Sequence, residues 1–240
     1  MTEPRAVLLD MDDTLISDAI YAEECWQPVC EAYACRIGGL TPAGLFQAID
    51  RYRAWYWSCP ERHRRGRLDM DRARLEVTAG GLAALGVEDP ALAQEIALAY
   101  SEVREARTDF FPDTVETLRA LRERATLLGL LTNGESRMQR RKIERFGLAQ
   151  YFDCIVVEGE FGCGKPDERV FRHALATLGA DAAATWMVGD NLEWDVAGAQ
   201  QVGIRGIWID VRGRGLPNDA AVRPDRIITR LSELLGARDD

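Results

Sequence analysis

The chain has 240 residues, of which 47% are hydrophobic and 29% charged, values typical of a folded globular protein. No apolar run approaches the ~18 residues of a membrane-spanning helix, which excludes a transmembrane protein. The first apolar run stops at Asp10, too early for a secretory signal, so we expect cytoplasmic residence. A net charge of −9 disfavours nucleic acid polymers and anionic membranes as partners.

The numbers of cysteine, histidine and lysine residues indicate which kinds of site the chain can contain. Six cysteines include no CxxC pair, and only two histidines occur, so a zinc site or a disulfide framework is not expected. Only Lys142 and Lys165 are lysine, so 28 of the 30 basic residues are arginine. A lysine in such a chain indicates a site that requires a compact point charge.

In chain order, the first predicted element is a strand at Ala6–Leu9, followed by a helical pattern over 16–107. Apolar residues recur there at three- and four-residue spacing. Thr41-Pro42 and Asp89-Pro90 each combine an N-cap residue with proline at the first helical position. These pairs predict two helix starts within the segment.

From Phe111 onward, short apolar runs alternate with helical segments, beginning with a helix from Pro112 to Arg122. The further predicted strands are Thr126–Leu131, Cys154–Val157, Thr185–Val188, Ile204–Ile209 and Arg226–Ile228. Continuous apolar strands separated by helices are typical of a parallel sheet covered on both faces. We therefore predict an α/β core formed by 1–16 and 109–240, with a helical domain inserted over 17–108.

Polar residues follow the predicted strands where each strand ends. Asp10 and Asp12 follow the first strand, Thr132 the second and Asp190 the fourth, and Lys165 lies in the loop after the third. Since parallel strands end at one edge of a sheet, these side chains should converge there. Carboxylates and an ammonium group gathered in one place favour a Mg²⁺ site that faces a phosphate.

Four motifs carry a family resemblance that covers essentially the whole chain. Asp10–Leu15, Leu130–Gly134, Gly164–Asp167 and Gly189–Asn191 with Asp195 resemble, in order, the four motifs of the haloacid dehalogenase-like (HAD) superfamily. The inserted segment is similar to the cap of the helical-cap subfamily. The resemblance implies a Rossmann-like parallel sheet with an inserted α-helical cap domain.

The resemblance also implies roles for the aspartates. Asp10 would be the nucleophile that forms an aspartyl-phosphate, and Asp12 the acid that protonates the leaving oxygen and the base that activates water. Asp10, the backbone carbonyl of Asp12, and Asp190 would hold the metal. Asp13 and Thr14 are interpreted as residues that stabilise the turn.

The remaining motif residues would bind phosphate or support those that do. Thr132 would donate its hydroxyl to the phosphoryl group, together with backbone N–H groups around Asn133-Gly134. Lys165 would offset charge on the phosphate and on Asp10, and the resemblance suggests a cis bond before Pro166. Asp195 would reach the metal through water or hold Lys165. The alternative is that Asp195 has no role in the site and is an aspartate in the first turn of a helix, where the helix dipole favours negative charge.

The predicted cap contains a basic segment, residues 51–74, with a net charge of +5. Trp55, Tyr56 and Trp57 lie in the same segment. The segment could attract an anionic substrate and stack on a flat group. The favoured interpretation is a solvated basic face over packed aromatic residues, because charge runs are usually solvated.

The predicted function is Mg²⁺-dependent hydrolysis of a small phosphomonoester by a monomer or homodimer. The stretch Leu131–Phe171 looks most like the nucleotidase and acylneuraminate-phosphate phosphatase branch. A 2-haloacid dehalogenase and a phosphosugar mutase are alternatives on the same fold, although dehalogenation needs neither Asp12 nor Mg²⁺. A non-enzymatic alternative is a phosphate-binding or receiver-like signalling module, whose aspartate would follow the third strand rather than the first.

Overall fold

The structure, a computed structural model, describes residues 3–236. It divides into two compact units. The first contains the residues up to Ser17 and those from Asp109 onward, and the second is Asp18–Thr108. Within the described range, no helix combines the length and the apolarity needed to cross a bilayer.

The described part of the first unit contains one six-stranded sheet in the order β3-β2-β1-β4-β5-β6, and every adjacent pair is parallel. The strands are β1 Ala6–Leu9, β2 Leu127–Thr132, β3 Cys154–Val157, β4 Thr185–Gly189, β5 Arg205–Ile209 and β6 Arg226–Ile228. This arrangement confirms the predicted α/β fold class. Its consequence for function is that β1, which leads into Asp10, lies between β2 and β4.

Three strands differ by one residue from their predicted bounds. The fourth strand extends through Gly189 instead of ending at Val188. The second strand begins one residue later, because the Thr126 N–H donates to Leu121 and closes the preceding helix instead of joining the ladder. It extends through Thr132, which pairs in register with Val157. The fifth strand omits Ile204, whose N–H donates to Ala199.

Alternation of side chains along β1 explains why the sheet needs cover on both faces. Val7 and Leu9 belong to one apolar core and Ala6 and Leu8 to another, and all four are fully buried. Burying residues on both faces of a strand produces the continuous apolar run seen in the sequence.

The second unit is helical in its described residues. Its helices are α1 Ala22–Tyr33, α2 Pro42–Trp57, α3 Pro60–Arg67, α4 Met70–Ala83 and α5 Pro90–Arg107, with 3₁₀ turns at Ala19–Tyr21 and Ala34–Arg36. The two predicted helix starts are confirmed. The Thr41 hydroxyl accepts from the Gly44 N–H at 3.1 Å, and the Asp89 carboxylate from the Leu92 N–H at 2.9 Å.

The helices of the first unit cover the sheet. They are α6 Thr114–Glu123, α7 Ser136–Arg145, α8 Glu158–Phe161 and α9 Glu168–Leu178; a π-helical turn Leu192–Ala197 continues into α10 Gly198–Gln200. Short 3₁₀ turns lie at Leu148–Tyr151, Ala182–Ala184 and Leu231–Leu235. Helix α7 begins four residues after β2 ends, and this short connection places its first turns beside the end of the strand.

A close approach of α2 and α4 yields a test of the packing in the second unit. A Cβ added at Gly81 would lie 2.7 Å from the Ile49 Cα, a backbone atom that cannot move aside alone. We expect Gly81→Ala to lower the free energy of unfolding by about 1–3 kcal/mol, measured by urea denaturation, because overpacking outweighs the higher helix propensity of alanine. Gly38→Ala, where no atom lies within 4 Å, is the matched control. A stability gain in Gly81→Ala would contradict this view of the interface.

Candidate active site

The predicted site residues meet where the parallel strands end. Asp10 directly follows β1, and its N–H donates to the Val188 carbonyl of β4 at 2.9 Å. Asp190 directly follows β4, and Thr132 is the last residue of β2. Adjacent parallel strands thus deliver carboxylates and a hydroxyl to one edge of the sheet.

A buried ammonium group is the centre of the site. Lys165 is only 2% exposed, and its Nζ lies 2.5 Å from Asp10 Oδ1 and 2.6 Å from Asp195 Oδ1. Burial alone would lower the pKa of Lys165, but the charges of Asp10 and Asp195 outweigh it and raise the pKa above its ordinary value. Lys165 is therefore charged, and Asp195 holds it, one of the two roles predicted for Asp195.

Asp10 is held on both carboxylate oxygens. Its Oδ1 contacts Lys165, and its Oδ2 accepts from the Thr14 hydroxyl at 3.1 Å. Burial and, to a smaller degree, the charge of Asp195 raise the pKa of Asp10 to about 6, against the opposing effect of Lys165. Thr14 thus holds the Asp10 carboxylate, a contact beyond the turn-stabilising role expected from the sequence.

The turn after β1 has a strained backbone at one residue. Asp13 adopts a φ of 60°, and its N–H donates to the Ile16 carbonyl at 2.7 Å. Aspartate tolerates this left-handed conformation better than most residues. The turn interpretation of Asp13 agrees with this geometry.

The carboxylates form a cluster that fits a cation. Asp10, Asp190 and Asp195 each offer an oxygen within 4.8 Å of the others. Burial, followed by the charges of Asp10, Asp195 and Asp13, raises the pKa of Asp190 well above its ordinary value. Three neighbouring carboxylates share one ammonium, so the cluster retains excess negative charge, and hard oxygen donors of this kind suit a divalent metal ion.

Asn133 positions Lys165 through its side chain. Its Nδ2 donates to the Lys165 carbonyl and its Oδ1 accepts from the Lys165 N–H, both at 2.8 Å. The Lys165–Pro166 peptide bond is cis, as the resemblance suggests. A Cβ at Gly164 would lie 2.5 Å from Asn133 Oδ1, so glycine is needed for this clamp.

One predicted phosphate donor is used elsewhere. The Gly134 N–H, expected to face a phosphoryl group, donates to Glu158 Oε2 at 2.9 Å. Glu158 follows β3 and is only 3% exposed, so its buried carboxylate requires donors of this kind. In this structure the Gly134 N–H is therefore paired with Glu158, and phosphate binding by the backbone N–H groups around Asn133-Gly134 stays a prediction.

Two residues of α7 that the motifs did not indicate contact Asp12. Gln139 Nε2 donates to Asp12 Oδ2 at 2.8 Å and to the Thr132 hydroxyl at 2.5 Å. Lys142 Nζ lies 2.8 Å from Asp12 Oδ1. The rarity of lysine was a signal that could have identified Lys142, whereas nothing in the sequence distinguishes Gln139 from a surface glutamine.

Three arginines of the basic segment contact partners within the second unit. Arg53 pairs with Asp50 at 2.5 Å and Arg65 with Glu76 at 3.3 Å. The Arg62 guanidinium lies 3.8 Å from the centre of the Trp55 ring. Arg65 is exposed and Tyr56 is buried, as the favoured interpretation of a solvated basic face over packed aromatic residues predicts, whereas Trp55 is 50% exposed and departs from it.

Comparison with known proteins identifies the family. A model of the haloacid dehalogenase-like hydrolases matches residues 4–203. The chain belongs to this family. This hydrolase is 32% identical to a phosphoserine phosphatase of Thermus thermophilus, over 96% of its own length and 97% of the relative's. It is 35% identical to the N-acylneuraminate-9-phosphatase of Rattus norvegicus, over 98% and 93% of the two chains.

Solved structures agree with the fold. The magnesium-bound HAD hydrolase YfnB of Bacillus subtilis has a TM-score of 0.74 at 22% identity, with 98% of each chain covered. A 2-haloacid dehalogenase of Pseudomonas syringae has a TM-score of 0.60 at 30% identity, with 98% of this hydrolase and 97% of that chain covered. The predicted superfamily and its phosphatase branch are confirmed by the curated relatives.

The acidic cluster predicts a pH-dependent response to a divalent cation. Without a cation, raised pKa values make the folded state bind protons more tightly than the unfolded state, so stability falls as the pH rises from 3.8 through about 6 for Asp10. A bound cation stabilises the ionised carboxylates. We therefore expect MgCl₂ to raise the melting temperature by about 5 °C near pH 8 and by much less near pH 5, measured by scanning calorimetry.

Asp190→Asn should lose most of this gain, whereas Glu193→Gln, which changes an exposed carboxylate three residues away, should retain it. An equal gain at both pH values, or in both variants, would contradict a metal site at Asp190.

Proposed function

We propose that this hydrolase is a Mg²⁺-dependent phosphatase that cleaves the phosphomonoester of a small metabolite through an aspartyl-phosphate on Asp10. The observation that carries the proposal is the pair of aspartates at the end of β1. Asp10 belongs to the acidic cluster. Asp12 lies outside the cluster, and its carboxylate accepts hydrogen bonds from side chains of α7. Phosphate transfer through an enzyme carboxylate needs one group to attack and a second to move protons.

In the first step, an Asp10 oxygen forms a bond to phosphorus as the ester P–O bond breaks. The leaving oxygen takes a proton from Asp12. Asp10, the Asp12 carbonyl and Asp190 would hold the Mg²⁺, which when bound would supply positive charge that lowers the repulsion between the Asp10 carboxylate and the phosphoryl group. Lys165 contributes further positive charge beside the attacking carboxylate, at 2.5 Å from it.

In the second step, Asp12 accepts a proton from water as the water attacks phosphorus, and the Asp10–phosphate bond breaks to release inorganic phosphate. The Thr132 hydroxyl accepts from Gln139, which leaves its own hydrogen to donate to a phosphoryl oxygen. Asn133 contributes by clamping the Lys165 backbone, and Asp195 contributes by holding the Lys165 ammonium.

The catalytic core in this proposal is formed by 1–16 and 109–240, and 17–108 form the cap that selects the substrate. The relatives are named for phosphoserine, N-acylneuraminate 9-phosphate and glyceraldehyde 3-phosphate, all small phosphorylated metabolites. The free cysteines suit a reducing compartment, which supports residence in the cytoplasm. We expect a monomer or a homodimer.

Dehalogenation is the second candidate, favoured by the similarity to the Pseudomonas syringae 2-haloacid dehalogenase structure. A dehalogenase attacks carbon with its first aspartate and needs neither a second aspartate nor a metal site. Asp12 and the cluster around Asp190 would then have no purpose, and the cost of crowding these carboxylates would be unexplained.

Phosphatase activity is tested with a panel of nucleotides, sugar phosphates, phosphoserine and phosphoglycolate, together with 2-chloropropionate. We expect release of inorganic phosphate with MgCl₂ and none in EDTA, because Asp10 and Asp190 need a cation to approach a phosphate. Chloride release that persists in EDTA, without phosphate release from any substrate, would establish the dehalogenase instead.

Rapid-quench mass spectrometry with p-nitrophenyl phosphate distinguishes the roles of Asp10 and Asp12. Asp10→Asn should give no phosphoenzyme, because the nucleophile is lost. Asp12→Asn should release a burst of p-nitrophenolate, which leaves without a proton, and accumulate phosphate on the peptide that contains Asp10, because water is not activated. A phosphate adduct on Asp10→Asn, or no adduct on an Asp12→Asn protein that still binds Mg²⁺, would refute these roles.

A further inference from the structure

Helix α7 holds the Asp12 side chain on both of its oxygens. Lys142 Nζ lies 2.8 Å from Oδ1, and Gln139 Nε2 donates to Oδ2 at 2.8 Å. The Asp12 side chain is 26% exposed and that of Lys142 17%. A partly exposed aspartate would ordinarily sample several rotamers, and two charge-assisted contacts from one rigid helix restrict it to one.

The spacing of the two donors explains how one helix supplies both. Gln139 and Lys142 are three residues apart, so they lie on the same face of α7, and Ile143 beside them is buried in the core. Arg141, on the other side, is exposed. A long planar guanidinium delivers a fork of donors, whereas the compact ammonium delivers a point charge to one oxygen.

Gln139 also connects Asp12 to the residue that would bind phosphate. Its Nε2 lies within hydrogen-bond distance of three acceptors, namely Asp12 Oδ2, the Thr132 hydroxyl at 2.5 Å and the Asn133 carbonyl at 3.0 Å. A carboxylate and a carbonyl can only accept, which fixes the orientation of the amide. The amide has two hydrogens for three acceptors, so the acceptors share them and the bond to Asp12 can be exchanged.

We propose that Lys142 and Gln139 are positioning residues that hold the Asp12 carboxylate in the orientation from which it delivers and accepts protons. The inference rests on the proposed function, since it concerns the aspartate assigned there as acid and base. Gln139 makes the position of Asp12 depend on Thr132, so that a phosphoryl group that engages the Thr132 hydroxyl also acts on Asp12. Lys142 takes no part in binding the substrate.

The test compares phenyl phosphate with p-nitrophenyl phosphate, which are nearly equal in size but differ in how readily the phenolate leaves. Lys142→Met keeps the unbranched side chain up to the ε position and removes the charged terminal nitrogen. We expect it to lower kcat for phenyl phosphate about 10- to 100-fold with KM nearly unchanged, because a misplaced acid fails where the leaving group needs a proton. The p-nitrophenolate burst should slow by less than about threefold.

Lys142→Arg should recover part of the lost activity, because it restores a positive donor near Asp12. Arg141→Met removes the same charge from the neighbouring exposed position and should leave both substrates unaffected. If Lys142→Met melts below the assay temperature, Lys142→Gln, which retains a neutral donor, replaces it.

A double-mutant cycle isolates the contact with Asp12. In the Asp12→Asn background, Lys142→Met should change the residual single-turnover rate on phenyl phosphate by less than about twofold, against the roughly 10- to 100-fold loss expected when Asp12 is present, because the group that it positions is already lost. An equal fractional loss on phenyl phosphate in both backgrounds, or equal losses on phenyl phosphate and p-nitrophenyl phosphate when Asp12 is present, would make Lys142 a structural residue and overturn the proposal. If Asp12→Asn itself retained full activity on phenyl phosphate, the assignment of Asp12 as the acid would fail first; an inactive Asp12→Asn with a fully active Lys142→Met would refute the positioning role alone.

Discussion

The buried ammonium of Lys165 is the interaction on which the site depends. Burying an ion costs several kcal/mol unless partners replace its water. Two carboxylates supply that replacement, Asp10 at 2.5 Å and Asp195 at 2.6 Å. They come from the segments after β1 and β4, whereas Lys165 comes from the loop after β3, so the ion pairs join three separate parts of the chain. Removing the ammonium would leave these carboxylates buried and uncompensated.

Two glycines near Lys165 lie so close to neighbouring side chains that a residue with a Cβ atom would not fit in their place. A Cβ at Gly189 would lie 2.2 Å from the Asp195 carboxylate, and Gly164 is restricted in the same way by Asn133 and Glu158. These glycines are required for close approach rather than for an unusual φ, because neither adopts a positive one. The close packing of polar and charged side chains thus explains why glycine occupies these two motif positions.

The site contains more negative charge than a stability optimum would allow. The pKa values of Asp10 and Asp190 are both raised, principally by burial, which means that the folded protein holds their ionised forms at a cost. Such a cost is expected where charge is assembled for a ligand rather than for the fold. Asp12 lies in the turn after β1 and is held by Lys142 and Gln139 of α7, so the proposed acid–base residue and the proposed nucleophile are supported by different elements.

The sequence alone predicted the parallel sheet and its six strands, and the helix starts at Thr41 and Asp89. It also predicted that Asp10, Lys165 and Asp190 converge at one edge of the sheet. Those features follow from local patterns, namely apolar runs, capping residues and polar residues at strand ends, which depend on neighbours along the chain. The tertiary structure decided which partner each donor uses. The Gly134 N–H donates to Glu158, Asn133 clamps Lys165, and Gln139 and Lys142 hold Asp12.

These pairings join residues that are 24 to 130 positions apart. A hydrogen bond depends on distances of about 3 Å and on direction, and no spacing in a sequence encodes either across such separations. The rarity of lysine showed that Lys142 was unusual, but only the fold, which places α7 beside the end of β1, showed what it contacts. Residue types and strand order thus determined the chemistry available at this edge, and tertiary packing determined the role of each group.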